Sequence, residues 1–483
     1  MKLKDLLSGI EIIKASANME AEITSVTYDS RKAVAGSLFV AVTGFITDGN
    51  LYISKALENG AVAVVTAVEP KEDIPYVLVK SDRLAMALIG ANFYGHPAKD
   101  MKIIGVTGTN GKTTSTLLLK HILEAARGAK VGLLGTMDNM IGQESVPAER
   151  TTPESLDLQA LFAKMRDASC EYVIMEVSSH AIALERVGGI HFDVAAFTNL
   201  TEDHLDFHET MENYCDAKAE LFARCTSCVI NADDDWAERI CAKATGKMLK
   251  TSIRGCGDMQ AEEMELLSDG ISFVAVHEGK RVPVKLLIPG KFTVYNAMTA
   301  LGCALQLGIS LEEAAKALAT AKGVKGRVEV VPTEGKPYTI LIDYAHTPDG
   351  LENVLSAVRG FCKGRLIAVF GCGGDRDPQK RPIMGKIGVE LADIAIITSD
   401  NPRTEEPMAI IQDILKGIDT EKNNYEVIEN RPLAIHHAMD IAQENDIIVL
   451  AGKGHETYQE IHGVKYHLDE REVVSDYLKE TRG

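Results

Sequence analysis

The distribution of apolar and polar positions changes character along the chain, and the changes divide it. Residues 1–98 hold short β-rich segments such as Ser37-Leu-Phe-Val-Ala-Val42 and Ala61-Val-Ala-Val-Val-Thr66, separated by turns rich in Gly and Asp. Gly95-His96-Pro97 punctuates that pattern and marks a boundary. From Met101 onward, apolar strands alternate with amphipathic helices, the signature of a parallel sheet covered by helices. Strands are predicted at 103–107, 172–177, 194–198 and 228–231. A second such pattern begins after Gly326, with strands predicted at 339–343, 366–370, 394–398 and 447–451. No solenoid period and no low-complexity tract interrupts the chain. The predicted class is α/β in three domains: a smaller N-terminal α/β domain over 1–98, a central P-loop-type parallel sheet with helices over 99–326, and a C-terminal Rossmann-like α/β domain over 327–483.

Length supports that division, since 483 residues make three domains of roughly 150 residues each. Apolar residues at 46% and charged residues at 25% exclude a disordered or fibrous chain. The net charge of −18 should repel polyanions, so nucleic acid and anionic membranes are not expected as partners, and any phosphate must be held by a local site. The opening MKLKDLLSGIEIIKAS lacks the uninterrupted apolar core of a signal peptide. Apolar runs elsewhere, such as 61–67, are too short to span a bilayer. Nine scattered cysteines, an odd number, fit a reducing cytoplasm, and a cytoplasmic protein is expected.

The most informative segment is Ile103-Ile-Gly-Val-Thr-Gly-Thr-Asn-Gly-Lys-Thr-Thr114. An apolar strand runs into a Gly-rich turn and then into a helix whose apolar face includes Leu117, Leu118, Ile122 and Leu123. Such a turn offers successive backbone N–H groups at the positive end of a helix, where phosphate oxygens bind. Lys112 can reach terminal phosphates and the Thr113 hydroxyl can ligate Mg2+. The strict Walker spacing would require Gly at position 106, which is Val106; the neighbouring glycines are Gly105 and Gly108.

A carboxylate suited to the same ion comes from Tyr172-Val-Ile-Met-Glu-Val-Ser-Ser-His180, where Glu176 closes an apolar run and so falls at a strand's C-terminal edge. His204 and His208, in Asn199-Leu-Thr-Glu-Asp-His-Leu-Asp-Phe-His208, have the spacing of a zinc pair on a helix. No Glu follows the first His and no Cys pair lies close by, so His204 as an Mg2+ ligand or phosphate contact is the stronger alternative. Cys225-Thr-Ser-Cys228 stands alone, which favours packing over metal. On a helix predicted over 214–222, Lys218 shares a face with Tyr214, Leu221 and Phe222. An ammonium there either snorkels outward or is held for chemistry, and desolvation would raise its neutral fraction as reaction with CO2 needs.

In the last third, loops follow strands at Asp343-Tyr-Ala-His-Thr-Pro348, Gly371-Cys-Gly-Gly-Asp-Arg376, Ser399-Asp-Asn-Pro-Arg-Thr-Glu-Glu-Pro407 and Ala451-Gly-Lys-Gly-His-Glu456. In a parallel sheet all of them converge on one crevice. Arg376, Arg403 and Glu456 there suit a zwitterion with an extra carboxylate, which Arg binds through paired hydrogen bonds.

Together these segments resemble the Mur ligase family, ATP-dependent enzymes that build the peptide of the bacterial cell-wall precursor, over essentially the whole chain. The loop Gly108, Thr109, Asn110, Gly111, Lys112, Thr113, Thr114 is similar to the family's own variant phosphate loop, and the resemblance implies further ATP contacts from Asn296, Arg327, Asp343 and His346. Asp29-Ser-Arg31 and Gly36–Ala41 resemble the uridine-nucleotide region, with Ser30, Phe45, Ile46 and Thr47 near the nucleotide. Thr151, Thr152, Ser178 and Arg186 resemble contacts to the muramoyl peptide, and Lys218 matches the lysine that family members carbamylate. Asp400, Asn401, Pro402 and Arg403 are similar to the diaminopimelate-recognition motif, with Arg376, Gly452 and Glu456 as its partners.

The resemblance implies a ligase that joins meso-diaminopimelate to UDP-N-acetylmuramoyl-L-alanyl-D-glutamate through an acyl phosphate, and a monomer is expected. It uses ATP and two Mg2+ ions, held by Thr113, Glu176, His204 and Lys218. Because meso-diaminopimelate is lysine with a carboxylate at the far end, Arg403 would pair with that carboxylate and repel the distal ammonium of lysine. The lysine-adding counterpart is the alternative, and a folylpolyglutamate-type ligase a more remote one. Three reactants drawn from three domains imply closure of the C-terminal domain over the central one.

Overall fold

A computed structural model describes residues 1–44, 47–148, 150–267, 270–333, 335–419 and 421–480. The chain divides into two compact units, Met1–Gln260 with Met298–Ala314, and Ala261–Ala297 with Ala315–Gly483.

The first unit begins with a sheet in the order Ile12–Ala15, Tyr76–Val79, Ala61–Thr66, Ser37–Ala41, Ser25–Thr27. The first pair is antiparallel and the others are parallel. Side chains alternate across a strand, and both faces are covered here. Leu38, Val40, Ala63, Val65, Val77 and Val79 pack on Ala85, Met86 and Ile89 of the helix Asp82–Phe93. Phe39, Ala41, Val64, Tyr76 and Leu78 pack on Ile53 and Ala56 of the helix Ile53–Glu58. Burial on both faces explains why the three inner strands, Ser37–Ala41, Ala61–Thr66 and Tyr76–Val79, read as apolar runs.

The same unit holds strands ordered Lys247–Ser252, Cys225–Asn231, Phe192–Phe197, Lys102–Thr107, Tyr172–Glu176, Val131–Leu134, all parallel. An antiparallel extension, Asp138–Ile141 and Glu144–Pro147, follows Val131–Leu134. The helix Lys112–Arg127 buries Leu118, Leu119, Ile122 and Leu123, whereas Leu117 is only half-buried; Leu119 takes the place expected of it. Strands expected to reach 177 and 198 end at Glu176 and Phe197. The lone cysteine pair, Cys225 and Cys228, is buried in the apolar cluster beneath this sheet.

In the second unit the sheet order is Glu329–Val331, Thr339–Asp343, Ile447–Ala451, Leu366–Phe370, Ile394–Ile397, Tyr425–Val427. Only Glu329–Val331 runs antiparallel. The hairpins Gly270–His277 with Lys280–Leu286, and Tyr458–Ile461 with Val464–His467, also belong to this unit but lie outside that sheet. Among the described residues, no helix is long and apolar enough to cross a membrane.

Candidate functional site

The loop between the strand Lys102–Thr107 and the helix Lys112–Arg127 takes its shape from two glycines with positive φ, Gly108 (148°) and Gly111 (83°). A Cβ at Gly108 would lie 1.9 Å from Thr198 Oγ1. The absence of a side chain therefore lets the loop approach the end of the neighbouring strand. The segment after that strand holds the loop: Thr198 Oγ1 donates to Asn110 O (2.6 Å), Asn110 N–H donates to Asn199 Oδ1 (2.9 Å), and Thr109 N–H donates to Asn199 O (2.8 Å). Lys112 Nζ donates to Gly108 O (2.9 Å) and Thr109 O (2.8 Å), so the backbone curls around an ammonium. Thr113 and Thr114 are buried in the first helical turn. Val106, where the Walker spacing would put Gly, sits in the strand, paired with Glu176.

Glu176, 1% exposed, lies at the C-terminal edge of its strand beside the loop. Its Oε1 accepts from Thr113 Oγ1 (2.9 Å) and Thr136 N–H (3.1 Å), and its Oε2 from Thr136 Oγ1 (2.9 Å). Gly135 makes room for this, since a Cβ there would stand 2.5 Å from Glu176 Oε1. A hydroxyl and a carboxylate side by side at a phosphate loop are hard oxygen donors and suit Mg2+.

The muramoyl-peptide candidates gather at the same edge. Thr136 Oγ1 lies 3.0 Å from Thr151 Oγ1; Thr152 Oγ1 donates to Glu176 O (2.8 Å) and accepts from Ser178 N–H (3.2 Å). Ser178 caps the helix Ser179–Ala183. Arg186 donates to Thr152 O (3.2 Å) and pairs with Glu154 (2.9 Å), which Arg150 and Arg83 also approach, at 3.7 and 3.9 Å. Burial lowers the Arg186 pKa.

The helix that carries Lys218 spans Met211–Ala219, starting earlier than expected because Thr210 caps it; a separate turn, Phe222–Arg224, follows. Lys218 is 1% exposed, donates to Gly108 O (3.0 Å) and lies 4.5 Å from the centre of the Tyr214 ring. It does not snorkel. Burial, with Lys112 nearby, pushes its pKa well below the ordinary lysine value. As an ammonium it would repel a metal ion; as a carbamate it would offer oxygens.

The zinc pairing of His204 with His208 is corrected. His204 has φ 54° and precedes the short helix Leu205–His208 rather than lying in it. His208 points to Ser179 Oγ (2.9 Å), and no group of three or more His, Cys, Asp or Glu side chains forms a metal cluster among the described residues. His204 instead joins a ring cluster, 4.8 Å from His180 and 6.2 Å from Tyr214.

In the N-terminal sheet, Ser30 is buried in the turn Ser30–Lys32, and Asp29 accepts from the Arg31 guanidinium at 2.8 and 2.9 Å. That ion pair holds the Asp29 carboxyl below the usual carboxylate range. Thr47 is exposed; Phe45 and Ile46 lie outside the described residues.

In the second unit, Asn296 is buried in the helix Lys291–Gln306. Asp343 accepts N–H bonds from Val328 and Ala345, both at 2.8 Å, and burial raises its pKa against the lowering effect of Arg327. Arg327 lies 5.4 Å from the Tyr344 ring centre, and His346 Nδ1 donates to Tyr344 O (2.8 Å).

The predicted loops meet, the 343–348 loop through Tyr344, whose ring centre lies 4.8 Å from that of His455. Gly374 N–H donates to Asn401 O (2.9 Å) and Arg403 Nη1 to Gly374 O (2.7 Å). A Cβ on Gly374 would lie 2.0 Å from Pro402 O, and one on Gly452 would lie 2.7 Å from Asp400 Oδ2. Asn401 Nδ2 donates to Glu456 Oε2 (2.9 Å). Arg376 is exposed beside Gly373.

Sequence reasoning missed Thr136, Asn199, His180 and the fully buried pair Arg431–Glu470 (2.8 Å) behind Asp400. None sits in a motif with its own spacing signal. His180, at the end of the Glu176 segment, was legible as a residue type but not as a neighbour of His204.

Three family models match the chain: Mur ligase family, catalytic domain, over residues 22–96; Mur ligase middle domain over 106–304; and Mur ligase, glutamate ligase domain, over 326–454. A protein of Clostridium botulinum named UDP-N-acetylmuramoyl-L-alanyl-D-glutamate--2,6-diaminopimelate ligase is 49% identical over 487 residues, covering 99% of this chain and 100% of its own. A protein of the same name from Clostridium tetani is 47% identical over the same proportions. A solved structure of a UDP-N-acetylmuramoyl-L-alanyl-D-glutamate--2,6-diaminopimelate ligase covers 100% of this chain and 99% of its own, at 32% identity and a TM-score of 0.76.

Proposed function

The chain belongs to the Mur ligase family, and we propose that it is the ATP-dependent ligase that adds meso-diaminopimelate to the D-glutamate γ-carboxylate of UDP-N-acetylmuramoyl-L-alanyl-D-glutamate. The observation that carries this reading is the phosphate loop, with Glu176 hydrogen-bonded to Thr113 and the buried Lys218 ammonium on Gly108 O. We assign working domains of 1–98 for the uridine nucleotide, 99–326 for ATP and 327–483 for the amino acid.

Lys112 and the loop N–H groups hold the triphosphate of ATP, with Asn296, Arg327, Asp343 and His346 as further nucleotide contacts. Ser30, with Phe45, Ile46 and Thr47, receives the uridine nucleotide. Thr151, Thr152, Ser178 and Arg186 orient the dipeptide. The γ-carboxylate takes the terminal phosphoryl group of ATP. The neutral amine at the L-centre of diaminopimelate attacks the acyl phosphate, and phosphate and a proton leave. Mg2+ held by Thr113 and Glu176, and a second ion by His204 and carbamylated Lys218, would supply neutralisation of charge as two anionic partners meet. Neutral Lys218, favoured by its burial, adds to CO2 and releases a proton to form that carbamate. Arg403 pairs with the distal carboxylate, and Arg376, Asp400, Asn401, Pro402, Gly452 and Glu456 complete the amino-acid pocket.

The test is phosphate release from ATP, with amide product measured alongside. Release should require both the UDP-muramoyl dipeptide and diaminopimelate. Arg403→Ala should lower kcat/KM for diaminopimelate by about 10-fold to 100-fold, as expected on losing a charged pair. Phosphate release without amide, or equal use of lysine by the unaltered protein, overturns the reading.

A further inference from the structure

The loop 399–403 and the loop 452–456 issue from strands that are not neighbours: Leu366–Phe370 lies between Ile394–Ile397 and Ile447–Ala451. No ladder of the sheet joins them; backbone bonds tie Arg403 to the hairpin beyond, Arg403 N–H to Glu460 O (3.0 Å) and His462 N–H to Arg403 O (2.6 Å), while the loop 452–456 itself is joined to Asn401 by side chains. Lys453 makes that join from a position of 0% exposure. Its Nζ donates to Asn401 Oδ1 (3.0 Å) and pairs with Glu456 Oε2 (3.2 Å), while Asn401 Nδ2 donates to the same Oε2 (2.9 Å). The triangle is closed. Asn401 Oδ1 also accepts from Glu460 N–H (2.9 Å), which fixes which end of the amide faces the lysine. Burying an ammonium is costly unless it is paired and hydrogen-bonded, and here Asn401 and Glu456 of the amino-acid pocket meet both conditions, with the Tyr458 ring centre 5.6 Å away.

We propose that Lys453 is a positioning residue for amino-acid recognition: by engaging Asn401 and one Glu456 oxygen, it presents the other oxygen, Oε1, to the distal ammonium of the diamino acid. This rests on the ligase reading above. The chemistry selects that ammonium, because the attacking amine must be neutral whereas a carboxylate stabilises the charged form. Recognition is thereby divided: Arg403 reads the distal carboxylate, and Glu456, held by Lys453, reads the ammonium beside it.

The experiment compares meso-diaminopimelate with 2-aminopimelate, which lacks the distal amino group, on the full chain. The ratio between them is read both as kcat/KM and as calorimetric affinity. The unaltered protein should favour the diamino acid by about tenfold or more, the usual effect of a charged hydrogen bond. Lys453→Met should bring that ratio to within about twofold of unity, with KM for ATP and for the UDP-muramoyl dipeptide changed by less than about threefold. If the methionine variant does not melt cooperatively, Lys453→Gln carries the same measurement. A variant that keeps the wild-type ratio, or a wild-type ratio near one, overturns the role given to Lys453. A protein that binds the diamino acid but forms no amide fails the ligase reading instead, and the affinity ratio still decides Lys453.

Discussion

Two buried bases in the first unit titrate away from their ordinary values, and each leads to a measurement. His208 is held down, at about 4, chiefly by burial and then by His180 and Lys218. Between pH of about 4 and the ordinary value of 6.5 the unfolded chain binds a proton there that the folded one refuses. Its contribution to stability is therefore present above pH of about 6.5 and is lost as pH falls through the window to about 4. In urea unfolding across that range, His208→Gln should lose stability less steeply with acid than the unaltered protein, and parallel pH curves would contradict this. Burial lowers the Lys218 pKa well below the ordinary lysine value, which raises its neutral fraction. Lys218→Ala should lower kcat by about 100-fold or more, the scale of losing one charge-stabilising group in a closed site. Full activity in that variant, with no CO2 dependence in the unaltered protein, removes the residue from the mechanism.

At the scale of elements, the phosphate loop is a strand end, a turn and a helix start that fit only because Gly108 carries no side chain. Gly108→Ala combines φ 148° with a Cβ at 1.9 Å from Thr198 Oγ1. The expected cost is about 1–3 kcal/mol in stability, and ATP binding measured by calorimetry should fall much more than UDP-muramoyl dipeptide binding. Element reading from sequence succeeded where one apolar run is buried on both faces, as at Thr339–Asp343, Leu366–Phe370 and Ile447–Ala451, which match expectation at both ends. It was weaker for the lysine-bearing helix, whose start is set by the Thr210 cap rather than by apolar spacing. It missed the edge hairpin Asp138–Ile141 with Glu144–Pro147, where exposed and polar residues alternate too weakly to signal a strand.

For the molecule as a whole, the sheet of residues 329–451 has its own apolar clusters on both faces. One includes Leu341, Phe370 and Val449, the other Ile340, Val369 and Leu450. Residues 327–483 expressed alone should therefore give a cooperative thermal transition by circular dichroism; a broad, non-cooperative melt would show that the segment needs the rest of the chain. Spacing along the chain was enough to locate the phosphate loop, Glu176 at its strand edge, the motif 400–403 and the succession of strands, because each is a local pattern that backbone geometry turns directly into structure. Distance in space is a different quantity. That Lys218 is buried against Gly108 O, that His204 leaves the helix of His208 for His180, and that Lys453 closes a triangle between loops from non-adjacent strands follow from packing among residues as much as 110 positions apart. A sequence records which ammonium groups exist; only the folded interior, by withholding water from some of them, decides which must find a partner.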